Sequence, residues 1–194
     1  MKNFLIYLAG PDVFLPDAVA IGQAKKKLCA HYGCTGLYPF DNEITSAPAG
    51  TRLSTLIFEG NIGLMRQADL VIANLTSFRG PSADAGTVFE IGFMMGQGKP
   101  AFGYSNVAGT LLDKTRLFTK VVPLAAQPQT WVDANHMAVE DFGNEDNLMI
   151  TECLAATGHP LVVKTVPPGR EFHDLQAFEQ CLKLVRESKK LSPA

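Results

Sequence analysis

The segment DLVIANL, residues 69–75, decides the fold class of this chain. It is a run of apolar residues bounded by polar ones, and it contains the β-branched pair Val71 and Ile72. A short apolar run of this kind is typical of a strand that is buried on both faces of a parallel sheet. The rest of the chain must therefore supply parallel neighbours for this strand and helices to cover it.

Parallel strands and covering helices are predicted on both sides of this segment. Apolar runs indicate strands and apolar residues at helical spacing indicate helices, alternating at 3–9, 17–32, 36–40, 52–67, 69–75, 87–97 and 100–104. In the helix at 52–67, the residues spaced for burial are Leu53, Leu56, Ile57 and Leu64. This alternation predicts an α/β fold with a doubly wound parallel sheet. We expect residues 1–194 to form a single domain.

The second half of the chain has a weaker pattern. Helices are predicted at 145–156 and 172–188, and the segments 117–124 and 160–166 are either additional strands or a hairpin. No internal repeat or interdomain linker interrupts the sequence.

Composition excludes several classes of function. The net charge is −2, with 17 Lys and Arg against 19 Asp and Glu, so we expect no nucleic-acid partner. No apolar run approaches the ~18 residues that span a bilayer, so we expect no membrane partner. The four cysteines and four histidines lack the spacing of a metal site or a disulfide framework, and we expect neither metal nor cofactor. These features predict a cytoplasmic protein.

The segment SADAGTVFEIG, residues 82–92, places Glu90 in apolar surroundings directly after the strongest strand. Ligands of doubly wound folds bind at the carboxyl ends of the strands, so this segment lies where a site is expected. Thr87 and Glu90 also match a T-x-x-E capping box, which would make Glu90 a structural residue.

Three features favour a chemical role for Glu90 over a capping role. The helix that follows is apolar nearly all round, so Glu90 is not expected to face water. A helix N-terminus favours the ionised carboxylate, which is the nucleophilic form. Gly86 and Gly92 leave room for a ligand. We interpret Glu90 as a reactive carboxylate that the cap geometry positions.

Two further residues extend this candidate site. Asp84 precedes Glu90 by six residues and is either a turn residue or a ligand for a hydroxyl group. Tyr7, at the end of the first strand, is either a core aromatic or a phenol that orients Glu90 and tunes its basicity. Two carboxylates and a phenol without metal ligands suggest glycosidic-bond chemistry through a covalent glycosyl intermediate.

The chain resembles the nucleoside 2-deoxyribosyltransferase family in three segments: IYLAGPDVF at 6–14, IFEGNIGLMRQADLVIANLTSFRGPSADAGTVFEIGFMMGQGKP at 57–100, and VEDFGNEDNLMI at 139–150. The middle segment is the most specific of the three. The segments 117–138 and 157–171 fall outside the best match and are interpreted as insertions.

The resemblance implies a flavodoxin-like (Rossmann-like) fold and the exchange of the base on a 2′-deoxynucleoside in nucleoside salvage. It implies that Glu90 attacks C1′ and forms a covalent deoxyribosyl-enzyme, which a second free nucleobase captures with retention in a ping-pong reaction. Tyr7 would hold Glu90 in place and Asp84 would bind the 5′-hydroxyl of the sugar. Phe14, in the AGPDVF loop, and Gly86 are expected to contact the substrate.

The resemblance also implies a homo-oligomer, at least a dimer. Asn147 and Met149, in NLMI, match residues that family members insert into the neighbouring subunit's pocket, where Asn147 would meet the sugar hydroxyls. Several family members have Asp at the position of Asn61, where it transfers a proton to the base. An amide cannot act as an acid, so Asn61 is expected to bind the base and Asp12 is the candidate for proton transfer.

Three alternatives remain open at this point. The first is an N-glycoside hydrolase of this fold that cleaves deoxynucleosides or nucleoside 5′-monophosphates. Enzymes that cleave the monophosphates tend to have Ser at the position of Asp84, whose charge would repel a phosphate. A cytokinin-activating phosphoribohydrolase shares G-T-x-x-E but has a Pro-Gly-Gly turn where this chain has PSADAG. A nucleotide-binding sensor without turnover would leave Glu90 as a cap. The sequence does not indicate whether purines or pyrimidines are preferred.

Overall fold

The computed structural model describes residues 3–188. Its strands are β1 (Leu5–Ala9), β2 (Thr35–Leu37), β3 (Leu70–Asn74), β4 (Ala101–Ser105), β5 (Val122–Leu124), β6 (Gln127–Val132), β7 (Ala138–Val139) and β8 (Val162–Val163). Its helices are α1 (Ala18–His31), α2 (Leu53–Gln67), α3 (Ala85–Gly96), α4 (Leu111–Phe118), α5 (Leu148–Ala156) and α6 (Gln176–Glu187). Two 3-10 helices lie at Pro11–Phe14 and Pro39–Asn42.

Five strands form one parallel sheet in the order β2-β1-β3-β4-β8. The chain leaves β1 for β2 on one side and then crosses to β3 on the other, so the strand order reverses between β1 and β3. Ligands bind at such a reversal, beyond the carboxyl ends of the strands. The prediction of a doubly wound, flavodoxin-like α/β fold is confirmed.

Alternate residues of the central strands face two separate hydrophobic clusters. Ile6 and Leu8 of β1 pack in a cluster with residues of α1 and α6. Tyr7 and Ala9 point to the opposite face and pack with residues of α2, α3 and α5. This alternation follows from the two-residue period of a strand, and it turns the side chain of Tyr7 toward α3.

The structure differs from the predicted elements in three places. The strand expected at 36–40 covers Thr35–Leu37 and gives way to the 3-10 helix at Pro39, whose ring fixes φ and removes a backbone donor. The helix α4 is additional, and a capping box of Thr110 and Asp113 begins it. The segment 117–138 contains the end of α4 and most of a small antiparallel sheet of β5, β6 and β7.

The predicted buried face of α2 was wrong in the first half of the helix, whereas the predicted Leu64 does pack against the core. Ile62 and Met65 are the buried residues of this helix, whereas Leu53 and Ile57 are 38% and 41% exposed. The first half of α2 extends beyond the sheet toward the candidate site. Its apolar side chains therefore lie at the surface or against the site rather than in the core.

Among the helices of residues 3–188, none combines the length and the apolar composition that crossing a bilayer requires.

Candidate active site

Glu90 and Tyr7 form a hydrogen-bonded pair at the reversal of strand order. Tyr7 lies in the middle of β1 rather than at its end, and it is fully buried. Glu90 is the sixth residue of α3, which follows β3, the strand that pairs with β1. The phenolic hydroxyl of Tyr7 donates to Glu90 Oε1 at 2.5 Å. The pair forms because α3 packs on the face of the sheet to which Tyr7 points.

Burial, rather than the helix N-terminus, sets the pKa of the Glu90 carboxyl group. Desolvation raises the pKa of Glu90 to about 7, the hydrogen bond from Tyr7 opposes this rise, and the charge of Asp84 adds to it. Burial and the neighbouring Glu90 raise the pKa of Tyr7 far above its ordinary value, so Tyr7 keeps its proton and acts as the donor. A helix N-terminus does not hold Glu90 ionised, because Glu90 lies beyond the first turn.

Asp84 is the N-cap of α3, and Thr87 and Glu90 do not form a capping box. The side chain of Asp84 accepts hydrogen bonds from the backbone N–H of Thr87 at 2.9 Å and from its hydroxyl at 3.1 Å. Both bonds end on Oδ2, so Oδ1 is left for a ligand. The capping interpretation of Glu90 was wrong because the N-cap of the helix is three residues earlier than the Thr87 that the T-x-x-E pattern indicates.

Asp146, which the sequence did not single out, holds the segment before Asp84. Its side chain is buried, and it accepts hydrogen bonds from the hydroxyl of Ser82 and from the backbone N–H of Ala83 at 2.9 Å. The contact joins positions more than 60 residues apart, so only the tertiary fold reveals it. The spacing of acidic residues in GNEDN gives no signal of this role.

A cavity of about 700 Å³ lies at this edge of the sheet. Its size is that of a small-molecule site. Its walls come from the loop after β1, the segment between β2 and α2, and the beginnings of α1, α2 and α3: Gly10, Val13, Phe14, Val19, Pro39, Phe40, Asn42, Glu43, Ile44, Thr45, Ile57, Asn61, Asp84, Gly86, Thr87 and Glu90. The sequence-predicted residues Phe14, Asn61, Asp84, Gly86 and Glu90 are thus brought together around one space.

Aromatic and amide groups line the walls away from Glu90. The ring of Phe14 is 56% exposed, and it stacks on Phe78 with ring centroids 5.3 Å apart. An exposed aromatic ring is a surface on which a planar base can stack. Asn61 accepts a hydrogen bond at Oδ1 from Asn42 Nδ2 at 3.1 Å, which leaves the amide N–H groups of Asn61 as donors.

Asp12 does not face this space, and we do not carry forward its predicted role in proton transfer. Its residue is 1% exposed, and its carboxylate forms an ion pair with the ammonium group of Lys25, which is equally buried. Asn74 Nδ2 donates to the other carboxylate oxygen at 2.9 Å. A charged lysine in the core requires a counter-ion, and Asp12 turns inward to supply it.

Asn147 and Met149 lie outside the walls of the cavity. Asn147 caps α5, accepting from the backbone N–H of Met149 at 3.0 Å, and it donates to Glu140 Oε1. Met149 is 72% exposed. In the structure of one chain, neither residue is part of the cavity lining, and Met149 faces solvent.

Within residues 3–188, no group of three or more His, Cys, Asp and Glu side chains is arranged to hold a metal ion.

Comparison with known proteins identifies relatives of this sequence and fold. The sequence profile of the nucleoside 2-deoxyribosyltransferase family matches residues 6–149. A 2-deoxyribosyltransferase from Leishmania mexicana superposes with a TM-score of 0.58 and 30% identity, over 76% of this chain and 85% of that one. A conserved protein from Enterococcus faecalis superposes with a TM-score of 0.56 at 18% identity, over 95% and 99% of the two chains, which shows the shared fold.

An uncharacterized protein of Schizosaccharomyces pombe is 34% identical over 132 residues. The match covers 66% of this chain and 59% of the yeast protein, so the chain spans less than two thirds of that relative's length.

The fold is of the flavodoxin-like class, and carboxylates line the cavity at its strand-order reversal. Since the family profile covers most of the chain, this protein belongs to the nucleoside 2-deoxyribosyltransferase family.

Proposed function

We propose that this protein exchanges the base of 2′-deoxynucleosides through a covalent deoxyribosyl ester of Glu90. The observation that carries the proposal is the Tyr7–Glu90 hydrogen bond at the wall of a cavity that also presents Asp84 and Asn61. A carboxylate held by a phenol, with an open space before it, is suited to attack an oxocarbenium-like carbon. Membership of the family supports the same reaction.

In the first half of the reaction, a Glu90 oxygen forms a bond to C1′ as the bond from C1′ to the base nitrogen breaks. The electron pair of that bond goes to the base, which leaves after taking up a proton. In the second half, a nitrogen of the incoming base attacks C1′, loses a proton, and releases the Glu90 carboxylate. Each displacement inverts C1′, so the product retains the configuration of the substrate.

Tyr7 supports both halves of this cycle. Its hydroxyl donates to Glu90 Oε1 and keeps its own proton, so it fixes the rotamer of the nucleophile and stabilises the carboxylate that is released. The raised pKa of Glu90, about 7, leaves both the acid and the carboxylate populated near neutral pH. The carboxylate is the form that reacts.

Asp84 makes the proposed site selective for nucleosides over their 5′-phosphates. We propose that its Oδ1 accepts the 5′-hydroxyl of the sugar, because the cap of α3 uses the other oxygen. A phosphate in place of that hydroxyl would meet a carboxylate and be repelled. The proposed role of the protein is therefore salvage at the level of deoxynucleosides and free bases.

A homo-oligomer completes the site in this proposal, with Asn147 and Met149 entering the cavity of a neighbouring copy. The exposure of Met149 supports this role. Mixing Glu90→Gln with Asn147→Ser tests it, since serine keeps a cap for α5 while losing the amide. Restored exchange from two inactive proteins supports a shared site, and no restoration after dissociation and reassembly contradicts it.

Chromatography of 2′-deoxyinosine incubated with the protein, with and without adenine or cytosine, tests the function. A new deoxynucleoside that forms only with the added base supports transfer. Equal release of hypoxanthine in both tubes indicates a hydrolase. Intact-mass measurement after an acid quench detects the sugar ester, which Glu90→Gln must lack. A sensor would show binding with neither turnover nor ester.

A further inference from the structure

The proposed reaction needs a group that gives a proton to the departing base and takes one from the incoming base. The residues assigned so far do not supply it. A purine or pyrimidine anion is a poor leaving group, so the departing base must be protonated. Asn61 has no acidic proton and the carboxylate of Asp12 is buried against Lys25. Three carboxylates line the cavity: Glu43, Asp84 and Glu90. Glu90 is the nucleophile and Asp84 caps α3 next to it, so Glu43 is the carboxylate without an assigned role.

Glu43 lies in a segment that is docked firmly on α2. Asn42, the residue before it, donates from Nδ2 to Asn61 Oδ1 and to the carbonyl of Pro39, both at 3.1 Å. Gly60 permits this docking, because a Cβ at position 60 would lie 2.8 Å from the Asn42 side chain and 2.9 Å from that of Ile44. The residues on both sides of Glu43 are thus packed against the helix that carries Asn61.

The backbone of Glu43 is itself unusual. Its φ of 51° lies in the left-handed region, which is sparsely populated by residues other than glycine. Its N–H donates to the carbonyl of Phe40 at 3.2 Å and ends the 3-10 helix at Pro39–Asn42. Residues held in this region cost about 1–3 kcal/mol and are concentrated at functional sites. The side chains of Glu43 and Asn61 both line the cavity.

We propose that Glu43 is the general acid and base that acts on the nucleobase, a role that rests on the proposed function above. When Glu90 attacks C1′, the Glu43 carboxylic acid gives its proton to an acceptor atom of the departing base, which leaves neutral. Glu43 is then a carboxylate, and it removes the proton from the incoming base as that base attacks C1′. The proton count balances over the cycle, and no other reactant is needed.

The exposure of Glu43 in the free protein is compatible with this role. Its side chain lies at the mouth of the cavity, in contact with solvent. A base seated between Phe14 and the 39–45 segment would cover the Glu43 side chain and exclude that water.

The test compares Glu43→Gln with the wild-type protein on two nucleosides, 2′-deoxyinosine and N7-methyl-2′-deoxyguanosine. The methylated base carries a positive charge while attached and leaves neutral without a proton. Base release is followed in a single turnover with excess protein, which isolates the first half of the reaction. We expect the variant to release hypoxanthine roughly 10²-fold or more slowly and the methylated base at nearly the wild-type rate.

Glu59→Gln is the matched control, since Glu59 precedes Gly60 on an exposed face of α2 and does not line the cavity. It should release both bases at wild-type rates. The pH profile is a second measurement: the wild-type rate with 2′-deoxyinosine should fall at high pH as the acid is lost, and this fall should be absent from Glu43→Gln.

Equal slowing of both substrates, a change in KM alone, or an unchanged alkaline fall in the variant overturns the role of Glu43. Failure of the underlying function has a different signature, because the wild-type protein would then release neither base and would form no ester on Glu90.

Discussion

Tyr7 and Asp84 shift the pKa of the same carboxyl group in opposite directions. The hydrogen bond from Tyr7 lowers the pKa of Glu90 and the charge of Asp84 raises it, while burial sets the overall rise to about 7. Because the ionised Glu90 is the proposed nucleophile, kcat/KM for release of a base that leaves without a proton, such as N7-methylguanine, should rise with pH through this value. This rise is the acid limb of the pH–rate profile. Removing Tyr7 and removing Asp84 should therefore move the limb in opposite directions.

Tyr7→Phe should move the acid limb to higher pH. The change removes a donor that stabilises the carboxylate, and a hydrogen bond to a charged group contributes about 1.5–3 kcal/mol. The rate at pH 6 should fall roughly tenfold or more. Tyr32→Phe is the control, since the hydroxyl of Tyr32 donates to Glu179 at 2.6 Å in a similar pair away from the site. An unshifted limb in Tyr7→Phe would contradict the tuning by Tyr7.

Asp84→Asn should move the same limb to lower pH, because it removes a negative neighbour of Glu90. Asparagine caps helices about as well as aspartate, so α3 should keep its start. The profile of kcat/KM against pH measures the shift even where the lost sugar contact lowers the rate at every pH. A limb that moves upward would show that Asp84 acts on Glu90 otherwise than through its charge.

Glu90→Gln should make the folded protein more stable at alkaline pH. The folded pKa of about 7 lies above the ordinary 4.5, so the native state binds the proton more tightly and loses stability as pH rises between these values. The neutral amide avoids that loss, which is at most about 3 kcal/mol.

Urea unfolding at pH 8 and pH 4.5 measures this gain. We expect the variant to exceed the wild-type protein at pH 8 and to equal it at pH 4.5, where Glu90 is protonated in the native state. Glu59→Gln should change stability at neither pH, since Glu59 is exposed. A gain of the same size at both pH values would mean that packing, and not ionisation, causes it.

The sequence predicted those parts of the fold and the site that depend on local pattern. The apolar run at 69–75 and its helical flanks specified the parallel sheet, and the sheet edge brought Glu90, Asp84 and Tyr7 together. Glu43 and Asn42 were missed because an irregular segment has no periodicity, and its docking depends on the absence of a side chain at Gly60. Asp12 was misplaced because the need of Lys25 for a buried counter-ion is a tertiary effect.

Lys25→Met should destabilise the protein far more than Lys26→Met. Lys25 and Asp12 form an ion pair in which both side chains are 1% exposed, so removal of the lysine leaves a buried charge and should cost about 3–5 kcal/mol. Lys26 pairs with Asp41 at 2.8 Å with side chains 31% and 26% exposed, and such pairs contribute about 0–1 kcal/mol.

Thermal and urea unfolding of the two variants measure this difference. The double variant Asp12→Leu with Lys25→Met should recover part of the loss, because it leaves no unpaired charge in the core. Equal stability of Lys25→Met and Lys26→Met would show that the buried pair is not required by the fold.

Asp146→Ala should weaken substrate binding, although Asp146 does not line the cavity. The side chain of Asp146 holds the hydroxyl of Ser82 and the N–H of Ala83, so its loss frees the segment that leads into Asp84. We expect KM for the deoxynucleoside to rise several-fold and the unfolding free energy to fall by about 1–3 kcal/mol. The acid limb should stay in place, because Tyr7 reaches Glu90 from β1 and does not depend on this segment.

Asp141→Asn is the matched control for this variant, since Asp141 lies in the same acidic stretch, is exposed, and bonds only the indole N–H of Trp131 in the described part of the chain. Ser82→Ala removes one of the two donors and should have an intermediate effect on KM. If Asp146→Ala lowered stability while leaving KM at the wild-type value, the position of Asp84 would be set by the cap of α3 alone and not by the link to Asp146.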